Sequence, residues 1–331
     1  QGSLGLGEAY MDGWWDAQKI DELIYKILSA DLDRRFIASW QAVYKIASNY
    51  LLNAGRKSQA FEVGEWHYDI GNDLYRAMLG KRLAYTCGYW KEASDLDAAQ
   101  EAKLDLVCRK IGLKSGQRVL DIGSGWGSFT GYAAEKYGAS ALGVTVSKEQ
   151  KNFTDEFYKN LPIETQLQDY REISGKFDHV VSLGMFEHVG YKNYRTFMEV
   201  AHRALKDEGL ILLHTIGGNR SVHGTDAWID KYIFPNSMIP SIQQISRAVE
   251  GLFVVEDWHN FGADYDKTLM AWHRNFEASW DNLKINYSER FHRMWRYYLL
   301  ACAGSFRARN NQLWQIILSK RGVLGGYQSI R

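Results

Sequence analysis

The sequence predicts an α/β fold: a mostly parallel, seven-stranded sheet covered by helices, with a helical segment in front of it. Three observations predict it. From Arg118 onward, apolar runs of strand length recur, and helical patterns separate them. The first run, RVLDI, passes directly into Gly123, Gly125 and Gly127 and then into the helical pattern SFTGYAAEKYG. No strand pattern precedes Arg118, whereas IDELIYKIL and FIASWQAVYKIASNYLL place apolar residues at helix-face spacing. Strands alternating with helices imply a parallel sheet with right-handed crossovers.

In chain order, residues 1–60 read as a small helical segment leading into the rest of the chain. Residues 61–331 read as one catalytic domain. Within it, residues 61–90 interleave Tyr, Trp, His, Cys and Gly without a clean period. They are a candidate lid, with an aromatic surface loop as the equal alternative. The helix LDAAQEAKLDLVCRKIGL leads into the first strand. The second strand, ALGVTV, is followed by Ser147 and Gln150, an S-x-x-Q capping box. IETQLQ ends at Asp169 and Tyr170, and FDHVVSL ends in GMFEHVG. The helix NYRTFMEVAHRAL is expected to stop at Gly209, before the strand LILLHTIG. Residues 218–252 interrupt the pattern as a helical insertion. FVVEDWHNFG, two long helices and LWQIIL complete the chain.

The 331 residues have a net charge of +1, which argues for no charged partner, and 46% hydrophobic content, which is ample for a core. Three cysteines without paired spacing suggest a reducing compartment, no disulfide and no zinc site. No apolar run approaches the ~18 residues of a membrane span, and no signal-peptide pattern is visible. The chain opens on QGSLGLGEAY without Met, so a missing N-terminal piece is expected. The aromatic content, with Trp 12 and Tyr 20, suits an amphipathic ligand or a membrane interface. The region from Asp281 is locally basic. With Trp295, Tyr297 and Tyr298 on the helix carrying Arg293 and Arg296, it is a candidate contact for anionic lipid, with a solvated face as the alternative. No nucleic-acid recognition motif is present.

The glycine turn after the first strand allows a ligand to approach main-chain N–H groups, and Asp121 can accept from a cationic or hydroxylated ligand. Ser128 stands where a dinucleotide fingerprint has its third glycine. The second strand ends at Thr145 and Val146 rather than at an acid, so nicotinamide binding is disfavoured. The D-x-G-x-G-x-G pattern resembles the first motif of S-adenosylmethionine-dependent methyltransferases, which makes the expected fold Rossmann-like. Asp121, Asp169, Glu187, His214 and Glu256 all fall at strand carboxyl ends. Glu187, after an apolar strand, is a candidate base or a plain helix N-terminal charge. His214 and Tyr265 have core packing as their alternative. No metal-ligand spacing and no hydrolase elbow appear.

With GSLGLGEAYMDGWW, HYDIGNDLY, YTCGYW, VLDIGSGWG, GVTVSKEQ, GMFEHVG, LLHTIGG, EDWHNFGADY and LLACAGSFRAR in view, essentially the whole chain resembles the bacterial cyclopropane fatty acid synthases. It resembles the mycolic acid cyclopropane synthases more distantly. The resemblance implies that S-adenosylmethionine methylates the cis double bond of an unsaturated phospholipid acyl chain. A carbocation then closes to a ring as bound bicarbonate takes a proton. It implies an anion held by Cys87, Glu187, His214, the Ile216 backbone and Tyr265, with Glu256 as a supporting acid. Cys302 matches a cysteine often assigned to the active site, although no thiolate is needed. The implied cofactor positions are Tyr85, Thr86, Gly123, Ser124, Gly125, Thr145, Val146, Gln150, Asp169 and Tyr170, to which the strand-end reading adds Asp121. The expected setting is cytoplasmic, peripheral to an anionic membrane, as a homodimer. Ser124 departs from relatives that carry Cys there. The alternatives are a soluble small-molecule methyltransferase and a non-catalytic lipid-binding protein.

Overall fold

The structure, a computed structural model, describes residues 2–32 and 71–331. The expected helix at 36–52 and residues 61–70 of the expected lid lie outside the described residues. In chain order the elements begin with α1 (Gly2–Met11), α2 (Ile20–Ser29), α3 (Asn72–Leu79) and α4 (Leu96–Lys110). The sheet then builds through β1 (Arg118–Ile122), α5 (Ser128–Tyr137), β2 (Ser140–Thr145), α6 (Lys148–Phe157), β3 (Ile163–Leu167) and β4 (Phe177–Leu183). After these come α7 (Tyr194–Ala204), β5 (Leu205–Gly218), α8 (Ala227–Tyr232), α9 (Ile242–Val249) and β6 (Val254–Asn260). The chain ends with α10 (Ala263–Leu283), α11 (Glu289–Arg307) and β7 (Asn311–Ser319).

The strands form one seven-stranded sheet in the order β3-β2-β1-β4-β5-β7-β6. Val119, Leu120 and Ile122 of β1 have no exposed surface, as a strand covered on both faces requires. The β1–β2, β2–β3, β1–β4 and β4–β5 pairs are parallel, while β7 runs antiparallel to β5 and β6. The reversal has a topological cause. One crossover helix carries the chain from the carboxyl end of one parallel strand back to the amino end of the next; two helices in succession, α10 and α11, return it to the carboxyl end, where β7 starts. Strand order reverses between β1 and β4. The crevice beyond their carboxyl ends is where open α/β sheets bind ligands.

Three local readings change. The helix at 194 ends at Ala204, not Gly209, because Leu205 turns extended and pairs with Phe177 of β4. Asn72–Leu79, within the stretch read as irregular, is helical and buries Leu74, Tyr75, Met78 and Leu79. Only half of the S-x-x-Q box forms: Ser147 accepts from the Gln150 N–H, but the Gln150 side chain accepts from the Thr145 hydroxyl instead.

Three of the four arginines of α11, Arg290, Arg293 and Arg307, pair inside the molecule, against the lipid-facing reading, and Arg296 has its Nε buried. Arg293 donates to the Tyr10 and Trp15 carbonyls, pairs with Asp16 and lies 4.0 Å over the Tyr10 ring. Arg290 pairs with Asp12, and Arg307 bridges Asp21 and Asp266. Gly304 permits the contact, since a Cβ there would run into the Asp21 carbonyl and lie 3.0 Å from Ile24 Cβ. Thus α11 is a strut on which α1 and α2 rest.

α10 and α11 are joined by a charged contact as well. Glu277 lies 3.3 Å from His273 and 3.2 Å from His292, which stacks on Trp280. Burial disfavours the charged form of His292, but hydrogen bonds to Glu277 and Glu289 outweigh it and raise its pKa. Burial would raise Glu277, yet hydrogen bonds from His273 and His292 hold it well below the carboxylate range. A raised histidine stabilises the fold below its unfolded value of 6.5, and the contribution is lost as pH rises through its folded value. A lowered glutamate stabilises above 4.5 and is lost on acidification. The window is therefore pH 4.5 to 6.5. His179, His188 and His259 are lowered by burial and act in the opposite direction, so a difference measurement is required. The melting temperature of wild type minus that of His292→Gln should be largest near pH 5.5 and shrink toward pH 8. A difference that grows with pH contradicts the assignment.

Candidate active site

The carboxyl ends of β1, β2, β3 and β4 open into one cavity of about 2070 Å³. Pockets for a single drug-sized ligand run to roughly 300–1,000 Å³, so this one has room for two molecules. All eleven expected cofactor residues line it: Tyr85, Thr86, Asp121, Gly123, Ser124, Gly125, Thr145, Val146, Gln150, Asp169 and Tyr170.

The turn after β1 is shaped by contact. Gly123 has φ +88, and a Cβ there would lie 2.5 Å from Met185 Cβ; Gly127 has φ +78 and would meet Thr154 at 2.6 Å. Gly125, φ +54, has nothing within 4 Å of where its Cβ would stand. The turn therefore packs against the loop after β4 on one side and α6 on the other, and Gly125 faces open space. Asp121 is 2% exposed, and burial raises its carboxyl to about 7, against the opposing charge of Lys103. Asp121 Oδ1 and Ser124 Oγ are buried without a hydrogen-bond partner. Asp169 accepts from the Arg171 backbone N–H and side chain at 2.9 and 2.8 Å. An acceptor-only carboxylate, an orphaned hydroxyl and an open main-chain cradle fit a cofactor that carries a cation and polar edges, as S-adenosylmethionine does.

Glu187, Ile216, Tyr265 and Cys302 line the same cavity. Glu187 sits in a 3-10 turn after β4 and is 7% exposed. Its Oε1 accepts from the Ile216 N–H at 2.6 Å, while Oε2 is buried and unpartnered. Burial raises its pKa to about 7, although the Ile216 N–H and the Thr215 side chain favour the ionised form. Tyr265, 8% exposed, is raised well above the usual phenol value by burial and then by the charges of Cys87 and Glu187. Around these residues stand Tyr85 and Tyr298, whose hydroxyls are 3.0 Å apart, with Phe234 at ring distances of 6.2 and 5.8 Å from them.

Three expected residues do not line the cavity. Cys87 is fully buried and its thiol bonds to the Gly88 carbonyl. His214 is 1% exposed, and its Nδ1 lies 3.3 Å from Gln315 Nε2. With the Gln315 amide donating there, Nε2 carries the proton, and that atom is buried without a partner. Glu256, at a register shift in β6, accepts from Ser319 Oγ and the Val323 N–H, so it holds the chain after β7. The Ile216 N–H, expected to hold an anion, already serves Glu187. Of the groups expected to hold a small anion, Glu187 and Tyr265 line the cavity, whereas His214 does not.

The sequence reading passed over Lys103, Phe234 and the Tyr85–Tyr298 pair. Lys103 carried a readable signal: it stands with Leu96, Ala99, Leu104 and Val107 on the buried side of the helix.

A family model described as mycolic acid cyclopropane synthetase matches residues 55–316. The cyclopropane-fatty-acyl-phospholipid synthase of Escherichia coli strain K12 is 51% identical over 331 residues, covering 100% of this chain and 86% of that protein. The mycolic acid cyclopropane synthase CmaA1, solved with SAH and CTAB, superposes with a TM-score of 0.73 at 31% identity, covering 78% of this chain and 98% of that one. The cyclopropane synthase MmaA2 from Mycobacterium tuberculosis gives 0.74 at 28% identity, with the same coverage.

Gly125→Ala places a methyl group in the open part of the cavity, at a backbone strain of about 1–2 kcal/mol. The folded variant should bind S-adenosylmethionine at least tenfold more weakly by calorimetry. Unchanged affinity would remove the glycine turn from the binding site.

Proposed function

The chain belongs to the mycolic acid cyclopropane synthetase family of S-adenosylmethionine-dependent methyltransferases, and from that premise we propose what it does. It converts the cis double bond of an unsaturated phospholipid acyl chain into a cyclopropane ring. The cofactor is S-adenosylmethionine, the base is a bound bicarbonate, and the substrate is met at a membrane surface. The observation that carries this reading is Glu187: a buried carboxylate with one oxygen anchored and the other unpartnered, in a cavity walled by aromatic rings. Bound together, the two groups supply an electrophilic methyl and a small base.

The protein's part is to bind, orient and exclude water. Asp121 would accept from the cationic end of the cofactor, and the Gly123–Gly125 backbone would let it approach. The methylated chain would carry a carbocation at the former double bond, which the faces of Tyr85, Phe234 and Tyr298 would stabilise. The same rings keep out water that would trap that cation. Glu187 would accept from the hydroxyl of the base, and the Tyr265 hydroxyl would donate to its oxygens. His214, which does not line the cavity, is held neutral by burial. The apolar faces of α1 and α2, through Leu4, Ile24 and Leu28, extend the cavity away from the cofactor end and suit a long chain. Among the described residues no helix is long and apolar enough to cross a membrane, so the reading has the protein meet lipid at a surface.

A cysteine nucleophile is the competing mechanism, and the thiol chemistry disfavours it. Burial pushes the Cys302 thiol up to about 12, so it is not a thiolate near neutral pH. Glu187→Gln keeps an acceptor for the Ile216 N–H but removes the charge. Its turnover should fall by ~10²–10⁴-fold, the range for a lost base contribution, with cofactor affinity unchanged. Cys302→Ser should keep most of the activity. Removing bicarbonate should slow the wild type and add little to Glu187→Gln. An inactive, folded Cys302→Ser beside an active Glu187→Gln in bicarbonate-free buffer would reverse the assignment.

A further inference from the structure

Lys103 is 1% exposed on α4, and lysine is almost never buried so completely without a partner. Its Nζ donates to Thr86 Oγ1 at 2.8 Å. One turn earlier on the same helix face, Gln100 is equally buried and donates to the Thr86 and Ala84 carbonyls at 2.8 and 3.3 Å. The Ala99 carbonyl accepts from the Tyr89 N–H at 2.9 Å. Thus α4 grips the strap that carries Tyr85, Thr86 and Cys87 by four hydrogen bonds. Thr86 and Asp121 line the cavity; Lys103 does not, so its charge reaches a ligand only through another residue.

The direction of the bond decides what Thr86 does. A hydroxyl oxygen that accepts from an ammonium turns its own proton elsewhere. Thr86 lines the cavity, so a ligand there is within the reach of that proton, and the ammonium would polarise it toward an anionic acceptor. Asp121 presents the opposite character, a buried carboxylate oxygen with no partner. A polarised donor and a bare acceptor on one wall match an α-amino-acid group, carboxylate to Thr86 and ammonium to Asp121.

We propose that Lys103 is a positioning residue which, through Thr86, makes the site read the carboxylate of the cofactor's amino-acid end. The proposal rests on the reading that this cavity takes S-adenosylmethionine. Burial lowers Lys103 to about 8, opposed by Cys87 and Asp121, so the ammonium is present at neutral pH. Cys87, Asp121 and His214 are the titratable groups that face it. The Cys87 thiol is pushed well up and His214 well down, which leaves Asp121 as its charged neighbour.

The test is calorimetry on the full chain with two probes, S-adenosylmethionine and its decarboxylated analogue. For the first, Lys103→Met should bind at least about tenfold more weakly, the scale of a lost charge-assisted hydrogen bond. For the second, which has no carboxylate to read, affinity should hardly change. Thr86→Val should show the same selective loss, and Thr86→Ser should restore wild-type discrimination. Should Lys103→Met fail to fold, the two Thr86 variants decide the matter. Equal losses for both probes, or no loss for either, would overturn the carboxylate assignment and leave only a packing role. Wild-type protein that binds neither probe would overturn the functional reading itself, and this proposal with it.

Discussion

The site depends on one hydrogen bond, from the Ile216 N–H to Glu187 Oε1 at 2.6 Å. It spans the turn after β4 and the far end of β5, so it fixes the carboxylate to the sheet rather than to a loop. With Oε1 held, Oε2 is buried with no hydrogen-bond partner, on a residue that lines the cavity. A bare buried carboxylate oxygen is costly, and burial answers by raising its pKa to about 7. The group is thus set to exchange a hydrogen bond with a small ligand near neutral pH. The Met238 N–H, bonded to the Glu187 carbonyl at 2.8 Å, ties the same turn to the chain between α8 and α9.

The rest of the fold maintains the dry surroundings that make this carboxylate unusual. α10 contributes Tyr265 and α11 contributes Tyr298 and Cys302, and both helices lie on the cavity side of the sheet. The arginines of α11 hold α1 and α2 over the remaining opening, with Gly7 packed against Trp228 of α8. These contacts are charged at one end and aromatic at the other, so loss of a single arginine would loosen the cavity wall without touching the reacting groups.

Much of this was legible before the structure. The glycine turn, Asp121 and the strand-end residues were readable because a parallel strand must end at a ligand crevice, and short apolar runs locate those ends. The seven strands were found for the same reason. What was misread shares one cause: sequence periodicity does not carry partner identity. The Arg-rich helix looked like a lipid-facing stripe because nothing in α11 itself shows that Asp12, Asp16 and Asp21 will meet it from the other end of the chain. Glu256 looked like its strand-end neighbours, but β6 is an edge strand and its bulge turns that side chain to Ser319 and Val323. The helix ending at Ala204 was overrun because K-D-E-G gives no stop signal before Gly209, while the pairing of Leu205 with Phe177 is a long-range event.

The central claim is that this cavity carries methyl addition through to ring closure by removal of a proton, and isotopic labelling tests it most directly. Purified protein would be given S-adenosylmethionine with a trideuterated methyl group and vesicles of a cis-unsaturated phospholipid, and the acyl products weighed by mass spectrometry. Ring closure with loss of a deuteron predicts a product that retains two of the three deuterons and gains a methylene unit. A product that retains all three would mean that the cavity stops at methyl transfer, and would contradict the role assigned to Glu187.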